Sequence, residues 1–280
     1  MADDALSRRS FSAMTAATGA VAAAGPPLAK AKEVVETNVT YASPDGTVDA
    51  VFFHPKGRGS WPGVVMLADA MGLRPVFRDM GRRMAAEGYA VIVPNPYYRT
   101  RKAPVFDATF DFTNPTDRAK LGPMRAPLTQ EGANRDVRAH IGFLDAQKVV
   151  NKRKGVGVQG YCMGGTMTIN AAIDNPARIK AAGSFHGGGL ATDRPDSPHL
   201  GVPKIAADVL IAIADNDDKR DPAVKDTLRA AFDAANKPAK IEVYTGADHG
   251  WCVKGSAVYN EPAAEKAWAE LLTVYRRALG

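Results

Sequence analysis

The chain has 280 residues, of which 45% are hydrophobic and 24% charged, a balance typical of globular proteins rather than of disordered or fibrous ones. Its two cysteines, Cys162 and Cys252, exclude a disulfide framework and match no zinc-binding spacing, and no apolar run has the roughly 20 residues that a membrane helix needs. The net charge of +6 comes from basic residues spread along the chain, without a basic module interleaved with aromatics, so nucleic acid is not an expected partner.

The first 31 residues have the pattern of an export signal. Arg8 and Arg9 precede a short Ala-rich apolar stretch, and residues 28–31 end in a small-x-small motif typical of a cleavage site. We predict a twin-arginine signal, which a receptor reads and which does not anchor the protein in a membrane. The expected location is periplasmic or secreted, with the twin-arginine export machinery as a partner during targeting and no membrane anchor. A disordered tail on a cytoplasmic protein is the alternative.

From residue 32 onward, the sequence alternates between predicted strands and helices. Alternating apolar residues over 34–41 and 47–54 flank the turn-forming Ser-Pro-Asp-Gly at 43–46, so we expect an antiparallel hairpin. Short apolar runs predict buried strands further along, at 63–67, 89–93, 155–159, 179–185, 209–214 and 241–244. Apolar residues at helical spacing predict helices between them, at 74–87, 131–147, 164–173, 223–235 and 263–279.

Repeated strand–helix units predict an α/β fold with a mostly parallel central sheet and helices on both of its faces. No linker or internal repeat interrupts residues 32–280, so we expect them to form a single domain. Residues 97–127 contain too many prolines and polar residues for regular structure throughout, and their position indicates that they border the site. A mobile lid and a fixed loop are both compatible with this stretch.

Cys162 lies in a motif that is typical of a catalytic nucleophile. The sequence Gly160-Tyr161-Cys162-Met163-Gly164 follows a predicted strand and opens a predicted helix, which is the pattern of a nucleophile elbow, G-x-Nu-x-G. The turn is sharp, so Gly160 and Gly164 let the backbone pass closely where a side chain would collide. It presents the thiol above the sheet, near a helix N-terminus whose partial positive charge favours a thiolate. A buried structural cysteine is the alternative.

An acid and a histidine follow the cysteine in the chain order that such a nucleophile requires. Asp217 comes directly after one predicted strand and His249 after the next, and open α/β sheets place their sites at such strand ends. We expect His249 to carry the proton and Asp217 to orient the imidazole and stabilise its charged form. The neighbouring Asp218 is the alternative acid.

The remaining acidic and histidine residues are not expected to take part. The aspartates between 215 and 221 could indicate a calcium loop, but the Gly and the terminal Glu of an EF-hand are missing, so we expect no metal and no cofactor. The other histidines are expected to be structural or surface residues: His54, His140, His186 and His199.

The residues around the three candidate catalytic side chains resemble the dienelactone hydrolase family, whose members have the α/β-hydrolase fold and a Cys-Asp-His triad. The similarity covers nearly all of residues 33–280, and the cysteine elbow is its most specific part, because most α/β-hydrolases use Ser there. It implies a carboxylic ester hydrolase of the carboxymethylenebutenolidase type, without a cofactor. The segments that carry it are 67–72, 95–99, 160–165, the Asp217 loop and 248–251.

The resemblance also implies roles for residues outside the triad. The backbone N–H groups of Ala70 and Met163 match the oxyanion hole, which stabilises the charge that develops on the carbonyl oxygen. Asp69 stands where the family usually has a Glu that interacts with the nucleophile's thiol and activates it. Arg99 matches an arginine that helps hold the carboxylate of the dienelactone substrate, whereas Val253 stands in place of the second arginine of that clamp.

The expected function is hydrolysis of a small-molecule ester or lactone, with Cys162 forming a thioester intermediate. The incomplete clamp and the predicted export favour a broader ester or lactone hydrolase over dienelactone itself, which arises in cytoplasmic catechol degradation. A catalytically weak hydrolase-fold binding protein is the alternative, and an enzyme for another bond, such as a peptide or carbon–halogen bond, is a third. In an oxidising periplasm, a disulfide between Cys162 and Cys252 would silence the nucleophile.

Overall fold

The structure, a computed structural model, describes residues 32–107, 109–112 and 114–280. The export signal predicted over residues 1–31 lies outside the described residues. The described residues belong to one compact unit. None of the helices that they form is both long and apolar enough to span a membrane.

Eight strands form a single sheet in the described part of the chain, in the order β1-β2-β4-β3-β5-β6-β7-β8. β1 is antiparallel to β2 and β2 is antiparallel to β4, while every other neighbouring pair is parallel. This arrangement confirms the predicted α/β-hydrolase architecture, a mostly parallel sheet with an N-terminal antiparallel hairpin. The strands are β1 (Val34–Ser43), β2 (Gly46–Pro55), β3 (Gly63–Leu67), β4 (Ala90–Pro94), β5 (Val156–Tyr161), β6 (Ile179–Phe185), β7 (Asp208–Ala214) and β8 (Ala239–Tyr244).

Helices connect the parallel strands, and the five long ones lie within two residues of their predicted bounds. Three short helices and a 3₁₀ turn at Pro198–Lys204 were not predicted, because they carry too few apolar residues to show a helical period. The helices are α1 (Pro75–Ala86), α2 (Pro115–Ala119), α3 (Leu121–Arg125), α4 (Gln130–Ala146), α5 (Met163–Asp174), α6 (Asp215–Arg220), α7 (Ala223–Ala234) and α8 (Glu261–Leu279).

The sheet is covered on both faces, and each face has its own hydrophobic core. On one face, α1 and α8 contribute Phe77 and Tyr275 to a buried cluster. On the other face, α4, α5 and α7 contribute Leu144, Ile169 and Phe232. Because both faces are covered, β3 and β4 are buried along their whole length, which explains their uninterrupted apolar sequences.

Parallel pairing brings the ends of five strands to the same edge of the sheet. In the ladders, the last residues of β3, β5, β6, β7 and β8 lie opposite or next to one another: Leu67 with Gly160, Tyr161 with Phe185, Phe185 with Ala212, and Ala214 with Tyr244. The residues that follow these strands therefore meet at one edge, as expected for the binding edge of an α/β sheet. The candidate site is built from these five segments.

Candidate active site

Cys162 occupies a strained turn between β5 and α5. Its backbone has φ 53° and ψ −115°, a conformation that residues with side chains rarely adopt. A Cβ atom on Gly160 would lie 2.0 Å from the carbonyl oxygen of Gly164, and one on Gly164 would lie 2.4 Å from the carbonyl oxygen of Leu67. Both glycines are therefore required sterically, and the turn presents the thiol at the N-terminus of α5.

His249 lies between Cys162 and Asp217. Its Nδ1 atom is 2.6 Å from Asp217 Oδ2, and the Cys162 side chain acts on the imidazole as a hydrogen-bond partner and through its charge. The Nδ1–carboxylate bond turns the other ring nitrogen away from Asp217 and leaves it for proton exchange. The structure thus brings the three predicted triad residues together in the order thiol, imidazole, carboxylate.

The electrostatics of this group keep a proton on the imidazole. Burial lowers the pKa of His249, but the hydrogen bonds to Asp217 and Cys162, and their charges, outweigh it and raise the pKa to about 10. Burial raises the pKa of Asp217, but the hydrogen bond to His249 and the charges of His249 and Arg220 lower it overall. At neutral pH, the pair therefore consists of an imidazolium and a carboxylate.

The structure also distinguishes the two adjacent aspartates. Asp218 Oδ1 accepts a hydrogen bond from Lys225 Nζ at 2.8 Å, and Asp215 Oδ2 accepts one from Lys219 at 2.6 Å. Only Asp217, of these three carboxylates, contacts His249 in the described part of the chain.

Across the described residues, no three His, Cys, Asp or Glu side chains converge in a way that could hold a metal ion.

Asn216 holds the histidine loop to the aspartate loop. Its side-chain oxygen accepts a hydrogen bond from the backbone N–H of His249 at 2.9 Å, and the N–H of Asp215 donates to the carbonyl oxygen of Ala247 at 3.0 Å. These two bonds fix the separation of the loops that follow β7 and β8, and with it the Asp217–His249 contact. Asn216 was not predicted as a site residue, although its place between two aspartates directly after a predicted strand was a usable signal.

His186, expected to be structural or a surface residue, lies buried behind the nucleophile. Its Nδ1 accepts a hydrogen bond from the backbone N–H of Cys162 at 3.0 Å, and its ring centroid is 4.8 Å from that of His249. Burial, and then the charge on His249, lower its pKa to about 3, so His186 is neutral beside the imidazolium. Its position directly after the strand predicted at 179–185 was the same signal that indicated His249.

The predicted oxyanion-hole residues, Ala70 and Met163, are linked through the side chain of Tyr97. Met163 is the first residue of α5, and its N–H is one of the four that a helix N-terminus leaves without an intrahelical partner. Ala70 lies in the loop after β3, and its carbonyl oxygen accepts a hydrogen bond from the buried Tyr97 hydroxyl at 2.8 Å. The same hydroxyl lies 3.7 Å from Met163 Sδ, so Tyr97 supports both residues.

Comparison with known proteins agrees with this geometry. The sequence profile of the dienelactone hydrolase family matches residues 48–279. This chain belongs to the dienelactone hydrolase family. It is 25% identical over 239 residues to a carboxymethylenebutenolidase of Rhodococcus opacus, and the match covers 84% of this chain and 88% of that protein. Like the other proteins of this family, it is a hydrolase.

Solved structures of dienelactone hydrolases have the same fold. A crystal structure from Klebsiella pneumoniae subsp. pneumoniae, provisionally assigned as a dienelactone hydrolase, matches with a TM-score of 0.76 at 25% identity, over 88% of this chain and 100% of that one. The dienelactone hydrolase of Anabaena variabilis matches with a TM-score of 0.57 at 17% identity, over 88% of this chain and 99% of that one.

Asp69 is the predicted thiol activator, and its carboxylate forms an ion pair with Arg74. Arg74 Nη1 and Nη2 donate to its two carboxylate oxygens at 2.6 and 2.8 Å, and the Met71 N–H donates to Oδ1 at 2.9 Å. In the part of the chain that is described, these contacts and not the Cys162 thiol occupy the carboxylate. They stiffen the loop that carries Ala70, and activation of the thiol by Asp69 stays a prediction.

Arg99, the predicted substrate-binding residue, belongs to a partly buried ion-pair network. Its guanidinium donates to both carboxylate oxygens of Asp136, at 2.7 and 2.9 Å, and to Asp45 Oδ2 at 2.5 Å. The side chain is only 13% exposed, and the network joins the β1–β2 turn to α4. Binding of a substrate carboxylate would compete with these two aspartates, and the role of Arg99 stays a prediction.

The two cysteines have different surroundings. Both are free thiols. Cys252 packs against the core between α1 and α8 and lines a cavity of about 400 Å³ there, together with Lys254, Arg83 and Trp268. Burial raises the pKa of its thiol well above the usual range, so it is a poor nucleophile. Val253, which replaces the second clamp arginine, is buried beside it.

Proposed function

We propose that this chain hydrolyses carboxylic esters or lactones, with Cys162 as the nucleophile of a Cys162–His249–Asp217 triad. The observation that carries the proposal is the 2.6 Å contact between His249 Nδ1 and Asp217 Oδ2, beside a cysteine in a strained elbow at a helix N-terminus. A buried structural cysteine has no need of a φ of 53° or of a charged imidazole next to its thiol.

The acylation step follows from these positions. The thiolate sulfur of Cys162 attacks the carbonyl carbon, and the electrons of the C=O bond move to the oxygen. The N–H groups of Ala70 and Met163 donate hydrogen bonds to that oxyanion, a contribution of about 3 kcal/mol for one donor in other acyl-transfer enzymes. When the C=O bond re-forms, the ester C–O bond breaks. The leaving oxygen takes the proton from His249, and a thioester remains on Cys162.

Deacylation reverses the proton transfer. Neutral His249 takes a proton from a water molecule, whose oxygen attacks the thioester carbon. Breaking the C–S bond releases the carboxylic acid and restores the thiolate of Cys162 beside the imidazolium. Asp217 stabilises the charged imidazole at each stage. One water molecule is consumed, and one acid and one alcohol are formed.

Several features favour a substrate range broader than dienelactone. The Rhodococcus opacus relative is named a carboxymethylenebutenolidase, and the triad is compatible with opening such a lactone. Arg99 is already paired with Asp45 and Asp136, however, and Val253 offers no charge. Without a free pair of arginines at these positions, we expect simple esters to be hydrolysed at rates comparable with dienelactone.

The test is hydrolysis of short-chain p-nitrophenyl esters and dienelactone by wild type, Cys162→Ala and Cys252→Ala under reducing conditions. We expect Cys162→Ala to lose about a thousandfold or more of kcat, because the nucleophile is removed, and Cys252→Ala to keep it. Acid quenching during turnover, followed by mass spectrometry, should find the acyl mass on the peptide that contains Cys162.

Two outcomes would count against the proposal. Equal rates for wild type and Cys162→Ala would remove the cysteine from the mechanism. A wild type with two reduced thiols and no acyl adduct on any ester would favour the alternative, a hydrolase-fold protein that binds its ligand without turnover.

A further inference from the structure

A groove of about 750 Å³ opens directly beside the nucleophile elbow. It lies between α5 on one side and, on the other, α2, α3 and the start of α4. Met163, whose N–H is one of the two proposed oxyanion donors, forms part of its wall. A molecule with its carbonyl at Cys162 would therefore reach this groove with the atoms next to that carbonyl.

The wall formed by α5 is one continuous helix face. Met163, Thr166, Met167 and Asn170 all line the groove, and their spacing of three and four residues places them on the same side of the helix. At 1.5 Å per residue, this face extends for about 10 Å away from the nucleophile. Its length fits an extended chain rather than a small ring alone.

Asn170, at the far end of this face, offers an unused polar group. Only 8% of the residue is exposed, and it lines the groove. No hydrogen bond joins its amide to another described residue, and its amide atoms are open to solvent. An amide on the wall of a groove that has no partner in the described residues is available to a polar group of the molecule that occupies the groove.

The opposite wall carries two positive charges without ion-pair partners. Arg118 lies in α2 and Arg125 lies in α3, and both line the groove. Neither forms an ion pair with a carboxylate of the described residues. Lys120, between them, is paired with Asp117 at 2.6 Å. None of the described lining residues is acidic. The charge of the lysine is therefore neutralised by Asp117, whereas the positive charges of both arginines at the groove are not neutralised by a described carboxylate. This arrangement favours an anionic ligand.

The position of His249 decides which part of a substrate the groove holds. The leaving group must reach His249 to receive its proton, and neither His249 nor Asp217 lines the groove. The groove is instead lined by Met163, which follows Cys162 in the elbow. A substrate with its leaving group at His249 would place in the groove its acyl part, the part that stays on Cys162 in the thioester.

We propose that this groove is an acyl-binding subsite for chains that end in a carboxylate, with Met163 and Met167 contacting the chain and Asn170, Arg118 and Arg125 binding its anionic end. The inference rests on the proposed function, because it concerns the acyl group delivered to Cys162. It assigns the preferred substrates as half-esters of dicarboxylic acids, whose charge lies on the acyl side of the scissile bond.

The experiment compares two esters that differ only in charge. Mono-p-nitrophenyl suberate has an acyl chain that ends in a carboxylate, and p-nitrophenyl methyl suberate has the same chain with a neutral cap. We expect wild type to prefer the anionic ester by about tenfold in kcat/KM, because hydrogen bonds to a charged group are stronger than those to a neutral one. High salt should reduce that preference, since both arginines are exposed.

Variants test the assignment of the arginines. In Arg118→Gln/Arg125→Gln, the ratio of kcat/KM for the anionic ester to kcat/KM for the neutral ester should fall close to one. In Arg118→Lys/Arg125→Lys, most of the preference for the anionic ester should remain, because the charge is kept. Arg153→Gln is the matched control: it removes an exposed arginine without an ion pair that does not line the groove. It should change neither rate.

A binding measurement separates this inference from the proposed function. Calorimetric titration with monomethyl suberate, a carboxylate that carries no p-nitrophenyl group, should show binding to wild type and at least tenfold weaker binding to the double Gln variant. Equal affinity for both proteins, or equal rates of wild type on the two esters, would overturn the subsite. Failure to hydrolyse either ester, with carboxylate binding intact, would overturn the proposed catalysis and leave the subsite standing.

Discussion

His249 lies between a carboxylate and a thiol, and both neighbours hold a proton on its ring. The neutral His186 packs against it with a ring-centroid distance of 4.8 Å, so the charge of the imidazolium is not opposed by a second cation at that point. Asn216 fixes its backbone. These contacts join His249 to residues that follow β5, β6 and β7, and together they fix the imidazole between the thiol and the carboxylate.

At this scale, the pKa of about 10 for His249 predicts the alkaline limit of activity. The leaving group needs the proton of the imidazolium, so kcat/KM should fall as the pH rises through about 10. Asp217→Asn removes the charge and the acceptor that raise this pKa, so the alkaline limb should move to lower pH and the rate should fall about ten-thousandfold. The measurement is the pH dependence of ester hydrolysis, corrected for the uncatalysed reaction.

Asp218→Asn is the control for this experiment, because Asp218 pairs with Lys225 and not with His249. It should leave the alkaline limb where wild type has it. If Asp218→Asn moved the limb and Asp217→Asn did not, the assignment of the triad acid would have to be reversed.

At the scale of elements, the site depends on how closely β5, α5 and the loop after β3 approach one another. The elbow passes so near that loop that the space normally taken by a Cβ atom of residue 164 is occupied by the carbonyl oxygens of Leu67 and Ala68, at 2.4 and 2.7 Å. Backbone atoms cannot move aside as a side chain can. The same approach brings the loop that carries Ala70 close to the elbow that carries Met163, and Tyr97 contacts both residues.

Gly164→Ala should therefore destabilise the protein by about 3 kcal/mol, because its Cβ would overlap backbone atoms of Leu67 and Ala68. Gly142→Ala is a matched change in α4, where a Cβ meets nothing within 4 Å, and it should stabilise the helix by about 1 kcal/mol. Urea unfolding of both variants measures the free energies. Equal stabilities would contradict the close approach of the elbow to the β3 loop.

At the scale of the whole molecule, we propose that residues 1–31 direct export through the twin-arginine pathway, on the strength of Arg8, Arg9 and the Ala-rich stretch after them. An oxidising periplasm would bear directly on a thiol enzyme. In the structure the two thiols are free, and the Cys252 thiol has a raised pKa, which slows disulfide exchange. An exported form could thus keep Cys162 as a thiol.

The prediction concerns where the full chain accumulates in a bacterium with this pathway. Wild type should appear in the periplasmic fraction as a shortened form, and Arg8→Lys/Arg9→Lys should remain in the cytoplasm at full length, because the receptor reads the paired arginines. Arg153→Lys, outside the signal, should behave as wild type in immunoblots of the fractions. Full-length wild type found only in the cytoplasm would contradict export.

The strands at 63–67 and 179–185 are predicted with the bounds that the structure has, because a short, mainly apolar segment is a local signal of a buried strand. Helix α6 could not be predicted in the same way. Its sequence from Asp215 to Arg220 is wholly polar, and its turn is stabilised by the Asp215–Lys219 pair and by its place directly after β7.

By itself, the sequence determined the α/β order of elements and the three candidate catalytic side chains, because apolar periodicity and the glycines around Cys162 act over a few residues. Only the tertiary structure decided that Asp217 and not Asp218 meets His249 and that Arg99 is held by Asp45 and Asp136. It also decided that Arg118 and Arg125 have no acidic partner among the residues that the structure describes. These outcomes depend on which side chains, distant along the chain, converge when parallel strands end at one edge of the sheet.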